Sequence, residues 1–165
     1  MLRSIFTVAE SAPLISQEKH PLRILVLCVG NSCRSQMAEA WFGSLAAGEM
    51  QVSSAGTEPT GYVHPMVKQV MLESGVSLAD QSSKSVDRFL DQNFDYVITV
   101  CAEAEESCPT FLGSVNEIHW HFEDPALAQG SESEILERFR QVRDELQDKI
   151  ADFLQHLNAG ASPDQ

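Results

Sequence analysis

Cys28-Val29-Gly30-Asn31-Ser32-Cys33-Arg34-Ser35 is the stretch from which fold and chemistry both follow. A short apolar run precedes it, Arg23-Ile24-Leu25-Val26-Leu27, and helix-like sequence follows it, Gln36-Met37-Ala38-Glu39-Ala40-Trp41-Phe42. A strand, a tight turn holding Gly30 and Asn31, and a helix start make a nest of backbone N–H groups that favours anions. Arg34 adds a planar fork matched to two oxygens of a tetrahedral oxyanion. Cys28 stands at the base of this cradle, where the positive field favours thiolate over thiol. The expected oxyanion-binding residues are Val29, Gly30, Asn31, Ser32, Cys33, Arg34 and Ser35, with Cys28 as nucleophile. Two blander readings stand beside this one. A Cys at a strand end is often a small buried hydrophobe, and Arg34 could simply pair with a carboxylate in a structural turn. Five residues between Cys28 and Arg34, with Gly-Asn among them and a Ser after, favour the oxyanion site.

A second pair of thiols lies downstream. Val97-Ile98-Thr99-Val100 is a β-branched run that reads as another buried strand and delivers Cys101 at its end. The polar stretch Ala102-Glu103-Ala104-Glu105-Glu106-Ser107 leads on to Cys108-Pro109. The Cys28-x5-Arg34-Ser35 pattern resembles the loop of low-molecular-weight tyrosine phosphatases. The longer string Gly30–Glu39, together with Cys101–Pro109, resembles the thioredoxin-coupled arsenate reductases built on that fold. The resemblance spans roughly Arg23 to Leu157. Arsenate and phosphate are near-isosteres, so the cradle does not choose between them. A phosphatase needs no second thiol pair, because water discharges its phosphocysteine, whereas a reductase must supply two electrons.

The resemblance implies a relay of three cysteines. Cys28 attacks arsenate and forms a thiol–arsenate adduct. Cys101 attacks the Cys28 sulfur and arsenite leaves. Cys108 then attacks Cys101, frees Cys28 and moves the disulfide to Cys101–Cys108. Thiol–disulfide exchange supports that order, since the thiol held in the positive cradle is the better leaving group. A rigid helix would hold positions seven apart about 10 Å from one another, too far for a disulfide, so closing Cys101–Cys108 requires unwinding. Cys33 is expected to have a structural or tuning part only. Zinc fits the spacing of the four cysteines poorly. A secreted disulfide framework is disfavoured by the visible absence of a signal peptide and by sufficient length for a core.

Asp124-Pro125 follows the strand-like Glu117–Phe122 and precedes a long helix. In both related families an Asp-Pro near this position protonates the departing oxygen, so the resemblance makes Asp124 the general acid. Pro125 restricts Asp124 to an extended conformation, which is expected to aim its carboxyl rather than let it cap a helix turn. The neighbouring Glu123 and an ordinary Asp-Pro turn are the competing readings. His119 and His121 alternate with Trp120 and Phe122 and could face one side of a strand, but flanking histidines outnumber metal ligands and no metal is expected. His64-Pro65 reads as a helix start. Ser54-Ala55-Gly56-Thr57 resembles the segment that closes over the loop. Asn31, Glu39 and Ser54 match positions that hold a stabilising potassium ion in some members, which carry an Asp where this chain has Lys84. An ammonium there would supply the charge, so no potassium requirement is expected.

The expected fold is α/β, a single domain with a mostly parallel four-stranded sheet flanked by helices, like the low-molecular-weight phosphatases. Strands are expected near Arg23–Cys28, Gln51–Ser54, Phe94–Val100 and Asn116–Trp120. Helices are expected near Gln36–Ala47, Pro65–Ser74, Val86–Gln92 and Glu132–Leu157. In the last, Leu136, Phe139, Val142, Leu146, Ile150, Phe153 and Leu157 repeat at helical spacing, and Ser131 with Glu134 make a capping box. Cys28, Cys101 and the Asp124 loop all fall at the carboxyl ends of strands, where such sheets bind ligands. Residues 21–158 are read as the domain and 159–165 as a loose C-terminal tail. Residues 1–20 are read as a disordered extension, or the product of a start upstream of the true one, and not as a targeting or membrane segment.

The net charge of −13 argues against nucleic-acid or membrane binding. Reduced thiols place the protein in the cytoplasm. A monomer is expected, with arsenate as substrate and no bound cofactor. An external dithiol would close the cycle, thioredoxin before glutaredoxin or a small thiol. The alternatives are a phosphotyrosine phosphatase acting through a phosphocysteine at Cys28, and a non-catalytic redox sensor.

Overall fold

The strand Leu22–Cys28, β1, is buried without interruption from Ile24 to Cys28, as a central parallel strand covered on both faces must be. The computed structural model describes residues 20–163. The extension expected over 1–20 therefore lies, but for residue 20, outside the described residues, as do residues 164–165 of the tail. β1 pairs in parallel with β2 (Met50–Gly56) on one side and β3 (Tyr96–Thr99) on the other. β4 (Asn116–His119) completes an all-parallel sheet of order β2-β1-β3-β4. The helices are α1 (Arg34–Leu45), α2 (Pro65–Glu73), α3 (Ala102–Glu106) and α4 (Glu132–Asn158). The expected α/β architecture of one four-stranded sheet flanked by helices is the one observed.

Alternate strand residues feed two apolar layers. Ile24, Val26, Ile98 and Ile118 face α1, α2 and α4. Leu25, Leu27 and Val97 face Val86, Phe89, Phe94 and Phe111 on the other side. The α4 stripe buries Phe139, Val142, Leu146, Ile150 and Phe153, each such side chain contributing about 1.5–3 kcal/mol. Phe153 meets the rings of Phe42, Tyr96 and Trp120 edge-on. The capping box forms: Glu134 N donates to Ser131 Oγ at 3.3 Å and Ser131 N donates to Glu134 Oε2 at 2.8 Å.

Two stretches depart from expectation. The helix expected over Val86–Gln92 is a single 3₁₀ turn, Val86–Phe89. Its buried residues, Val86 and Phe89, stand three apart, the spacing at which 3₁₀ side chains eclipse on one face. The polar stretch after Cys101, read without a defined structure, winds into α3, and only Ala104 of that helix is buried. Among the described residues no helix is long and apolar enough to cross a membrane.

From β1 the chain first crosses to β2 and later returns to β3 on the opposite side. The crevice beyond the carboxyl ends of β1 and β3 is thus a topological switch point. Cys28 ends β1, and Cys101 follows β3 by two residues.

Candidate active site

Residues 28–35 form a loop folded around the Cys28 sulfur. Asn31 N donates to Cys28 Sγ at 3.1 Å, and Ser35 Oγ lies 2.8 Å from it. Asn31 adopts a left-handed conformation (φ 47°), which Asn tolerates better than most residues. α1 begins at Arg34 with no side-chain cap and no acid in its first turn, so its leading N–H groups are left for an anion. Arg34 is 8% exposed, and its Nε is buried without a partner. An uncapped helix start and an unpaired guanidinium nitrogen at one place are what an oxyanion would complete.

A polar scaffold holds the loop from behind. The fully buried Asn31 donates through Nδ2 to Ser35 Oγ and Ser54 Oγ, both at 2.9 Å. Its Oδ1 accepts Lys84 N at 2.7 Å and Gln36 Nε2 at 3.0 Å. Ser54 Oγ donates to Glu39 Oε2, and Lys84 Nζ stands 3.5 Å from that same oxygen. Of the residues matched to a potassium site, Glu39 therefore already faces the Lys84 ammonium, which also donates to Ser82 O at 2.9 Å, while Asn31 takes the Lys84 backbone N–H. They do not fit a further cation, because Asn31 Oδ1 is occupied twice and the Glu39 carboxylate has its counter-charge. Gly56 completes the support. A Cβ there would stand 2.4 Å from Val29 O, so only glycine lets β2 approach the loop this closely. Thr57 N, Glu58 N and Thr60 N then donate to the carbonyls of Cys28, Val29 and Gly30. Sequence reasoning gave Gln36 no role and named Gly56 only as part of the segment closing over the loop. A glutamine on the buried side of a helix and a glycine ending a strand were the signals for them.

Arg34 also reaches the end of the sheet. Its Nη1 donates to Phe122 O at 3.0 Å, and its Nη2 lies 3.3 Å from Asp124 Oδ2. Asp124 is extended (φ −79°, ψ 108°), as Pro125 requires. Contrary to expectation it does cap a turn, accepting Ala126 N at 3.0 Å ahead of the 3₁₀ turn Pro125–Leu127. The reason is local: extended backbone followed by proline is the ordinary geometry of an N-cap residue. Oδ1 caps while Oδ2 faces Arg34, so one carboxylate serves both. Glu123 points away, 4.0 Å from Arg138.

All four cysteines are free. Cys101 is buried in the same apolar layer as Cys28, beneath α1 and α4, close enough to Arg34 and Cys28 for their charges to act on its thiol. Burial raises its thiol pKa. Cys108 is half-buried against the opposite layer, and burial with the Glu117 carboxylate pushes its thiol up to about 11. The loop and α3 thus bring Cys28 and Cys101 together and keep Cys108 apart. Cys33 is buried, and that burial pushes its thiol up to about 12.

The histidines divide. His119 Nδ1 lies 2.8 Å from Thr99 Oγ1, while His121, beyond the end of β4, lies 2.7 Å from Glu105. Among the described residues no group of three or more His, Cys, Asp or Glu is placed to hold a metal. His64 caps α2 by accepting Met66 N at 3.2 Å, and its own N donates to Ser32 O at 3.0 Å. Burial lowers its imidazole pKa.

Residues 23–162 match the model of the low molecular weight phosphotyrosine protein phosphatase family. An arsenate reductase of Halalkalibacterium halodurans is 42% identical over 130 residues, which cover 79% of this chain and 93% of that protein. The solved structure of an arsenate reductase in the phosphate binding state is 31% identical with a TM-score of 0.63, covering 86% of this chain and 99% of the other. A thioredoxin-dependent arsenate reductase of Corynebacterium glutamicum is 31% identical with a TM-score of 0.55, over 81% of this chain and 64% of its own.

Proposed function

The chain belongs to the low-molecular-weight phosphotyrosine protein phosphatase family, in the company of arsenate reductases, and from that membership we propose that it reduces arsenate to arsenite with electrons from its own thiols. The observation that carries this reading is the burial of Cys101, just past the end of β3, in the same cluster as Cys28 at the end of the neighbouring β1, with a third free thiol, Cys108, seven positions on. A phosphatase would leave both downstream thiols idle.

An arriving arsenate takes the N–H groups of the loop and the guanidinium of Arg34, displacing Asp124 Oδ2 from the latter. Cys28 Sγ attacks arsenic, the S–As bond forms, and the departing oxygen leaves as water with a proton from Asp124. Cys101 then attacks Cys28 Sγ. The S–As electron pair passes to arsenic, arsenite departs, and a Cys28–Cys101 disulfide holds the two oxidising equivalents. Cys108 attacks Cys101, Cys28 leaves as thiolate, and an external dithiol reduces Cys101–Cys108. Thioredoxin is the reductant we assign, a choice supported by the name of the Corynebacterium relative. The test is arsenate-dependent NADPH oxidation with thioredoxin and thioredoxin reductase. Steady turnover is the expected result, and its absence beside brisk aryl phosphate hydrolysis would sink the assignment in favour of a phosphatase.

Two further outcomes follow. Asp124→Asn keeps an acceptor for Ala126 N and so keeps the turn, but it has no proton to give. Arsenite formation in a single turnover should fall by about 10²–10⁴-fold at an unchanged melting temperature. Lys84 bears on the cation question. Exchanging sodium for potassium should leave the parent's activity and Tm unaltered. Lys84→Met strips the partly buried Glu39 carboxylate of its counter-charge, at roughly 1 kcal/mol, or about 2–4 °C in Tm. A parent whose Tm climbs with potassium would show that the ammonium does not fill the role.

A further inference from the structure

The helix α3 is five residues long, too short to persist by its own propensity. On the reductase reading, which this inference rests on, it must stay wound while Cys101 serves Cys28 and give way when Cys108 reaches Cys101. Little fastens it. Ala104 is its one buried residue, and Ser107 Oγ and Cys108 Sγ bond only to carbonyls within the segment, Glu103 O and Pro109 O. Among the described residues, a single side-chain hydrogen bond leaves residues 102–109 for the rest of the protein. It joins Glu105 Oε2 to His121 Nε2 at 2.7 Å. His121 follows β4 directly ahead of Phe122, whose carbonyl holds Arg34, and of Asp124.

We propose that His121 is a positioning residue of the relay, its bond to Glu105 acting as the latch that keeps α3 wound and Cys108 apart from Cys101. Cys101, 1% exposed, is held by its own burial through adduct formation and arsenite release, and only the second exchange waits on the latch. Opening it lets residues 102–107 unwind. Cys108 gives its proton to solvent and its sulfur attacks Cys101 Sγ. The Cys101–Cys108 bond forms as the Cys28–Cys101 bond breaks, with the electron pair leaving on Cys28. The exchange is redox-neutral, so the latch acts on its rate and on the balance between dithiol and disulfide. His121 is exposed and Glu105 is partly so, which sets the scale of the effect.

His121→Ala, Glu105→Ala and the double variant test this. Each is given one equivalent of arsenate without reductant, quenched by alkylation at intervals, and its disulfides mapped. Cys101–Cys108 should form about two to five times faster than in the parent, the range of a solvent-accessible hydrogen-bonded pair of side chains. The rate and amplitude of arsenite release should stay unchanged, and the double variant should be no faster than either single one. Alanine is the better helix former, so faster closure in Glu105→Ala cannot come from propensity. Titration against dithiothreitol should move the Cys101–Cys108 couple about 10–20 mV more negative, the same factor expressed as a potential.

Closure at the parental rate or slower overturns the latch. A merely structural role for His121 would slow arsenite release through Phe122 and Asp124 and leave closure no faster, which also overturns it. Absence of any arsenite from the parent removes the reductase reading. The dithiothreitol titration needs no arsenate and judges the latch on its own, an unmoved potential counting against it.

Discussion

Cys28→Ser is expected to abolish arsenite formation and to lower aryl phosphate hydrolysis by about four orders of magnitude or more, the scale on which removal of a nucleophile is felt. The two losses have different causes. Hydrolysis needs only a nucleophile, and a serine hydroxyl in the same cradle is a far weaker one than a thiolate at neutral pH. Reduction needs in addition an atom that can give up the S–As electron pair and then bond to Cys101, which oxygen cannot do. No neighbour substitutes, since burial pushes the Cys33 thiol up to about 12 and leaves it protonated. The fold should survive, because Asn31 N and Ser35 Oγ, now 3.1 and 2.8 Å from the sulfur, find an acceptor in serine as well. Arsenite release, hydrolysis of an aryl phosphate and a thermal melt check the three parts together. A variant retaining more than about a thousandth of either activity would move the nucleophile elsewhere.

The loop was legible because its signals are local: an unbroken apolar run, a Gly-Asn turn, and Cys and Arg at fixed spacing. The same holds for α4, whose stripe and capping box lie within one helix. The scaffold behind the loop was legible only through the resemblance, which grouped Asn31, Glu39, Ser54 and Lys84. Lys84 N and Ser54 Oγ meet Asn31 from distant parts of the chain, with Gln36 Nε2 joining from the first turn of α1, and no periodicity announces such a meeting. Gly56 is the intermediate case. Its residue type hinted at a close approach, but the carbonyl it must avoid, Val29 O, became visible only in three dimensions. α3 was missed for a related reason. Five residues with one buried alanine give no helical pattern, and the bond to His121 comes from beyond the next strand. Asp124 shows the opposite failure: proline was read correctly as holding it extended, yet that conformation is also an N-cap, and the residue caps.

The net charge of −13 sets the cradle against the rest of the molecule. On the proposed function an arsenate anion would approach through an unfavourable field and be held only where Arg34, the α1 start and the loop N–H groups meet. Screening by salt weakens the long-range repulsion more than the contacts within the loop. Capture thus depends on local donors and not on steering.

Cys108→Ser should convert steady arsenate-dependent NADPH oxidation into a single event, about one arsenite for each protein chain, since each exchange step passes on one disulfide. The argument turns on access. In the proposed relay the first exchange leaves Cys28–Cys101 as the oxidised pair, and both sulfurs belong to residues only 3% and 1% exposed. A protein dithiol must bring its own sulfur into line with the disulfide it attacks, and a buried pair gives it no approach. Cys108 is half-buried and sits beyond α3, so exchange onto it carries the disulfide outward. The variant should therefore accumulate Cys28–Cys101, recoverable by mass spectrometry, and show a first turnover as fast as the parent's. Slow onset of that first turnover would instead assign Cys108 a part in the chemistry at Cys28. Equal steady turnover in parent and variant would keep the arsenate chemistry but give the reductant a direct path to Cys101. In that case the burial of Cys101 in the resting protein is relieved during the cycle by opening of α3, and not by the third thiol.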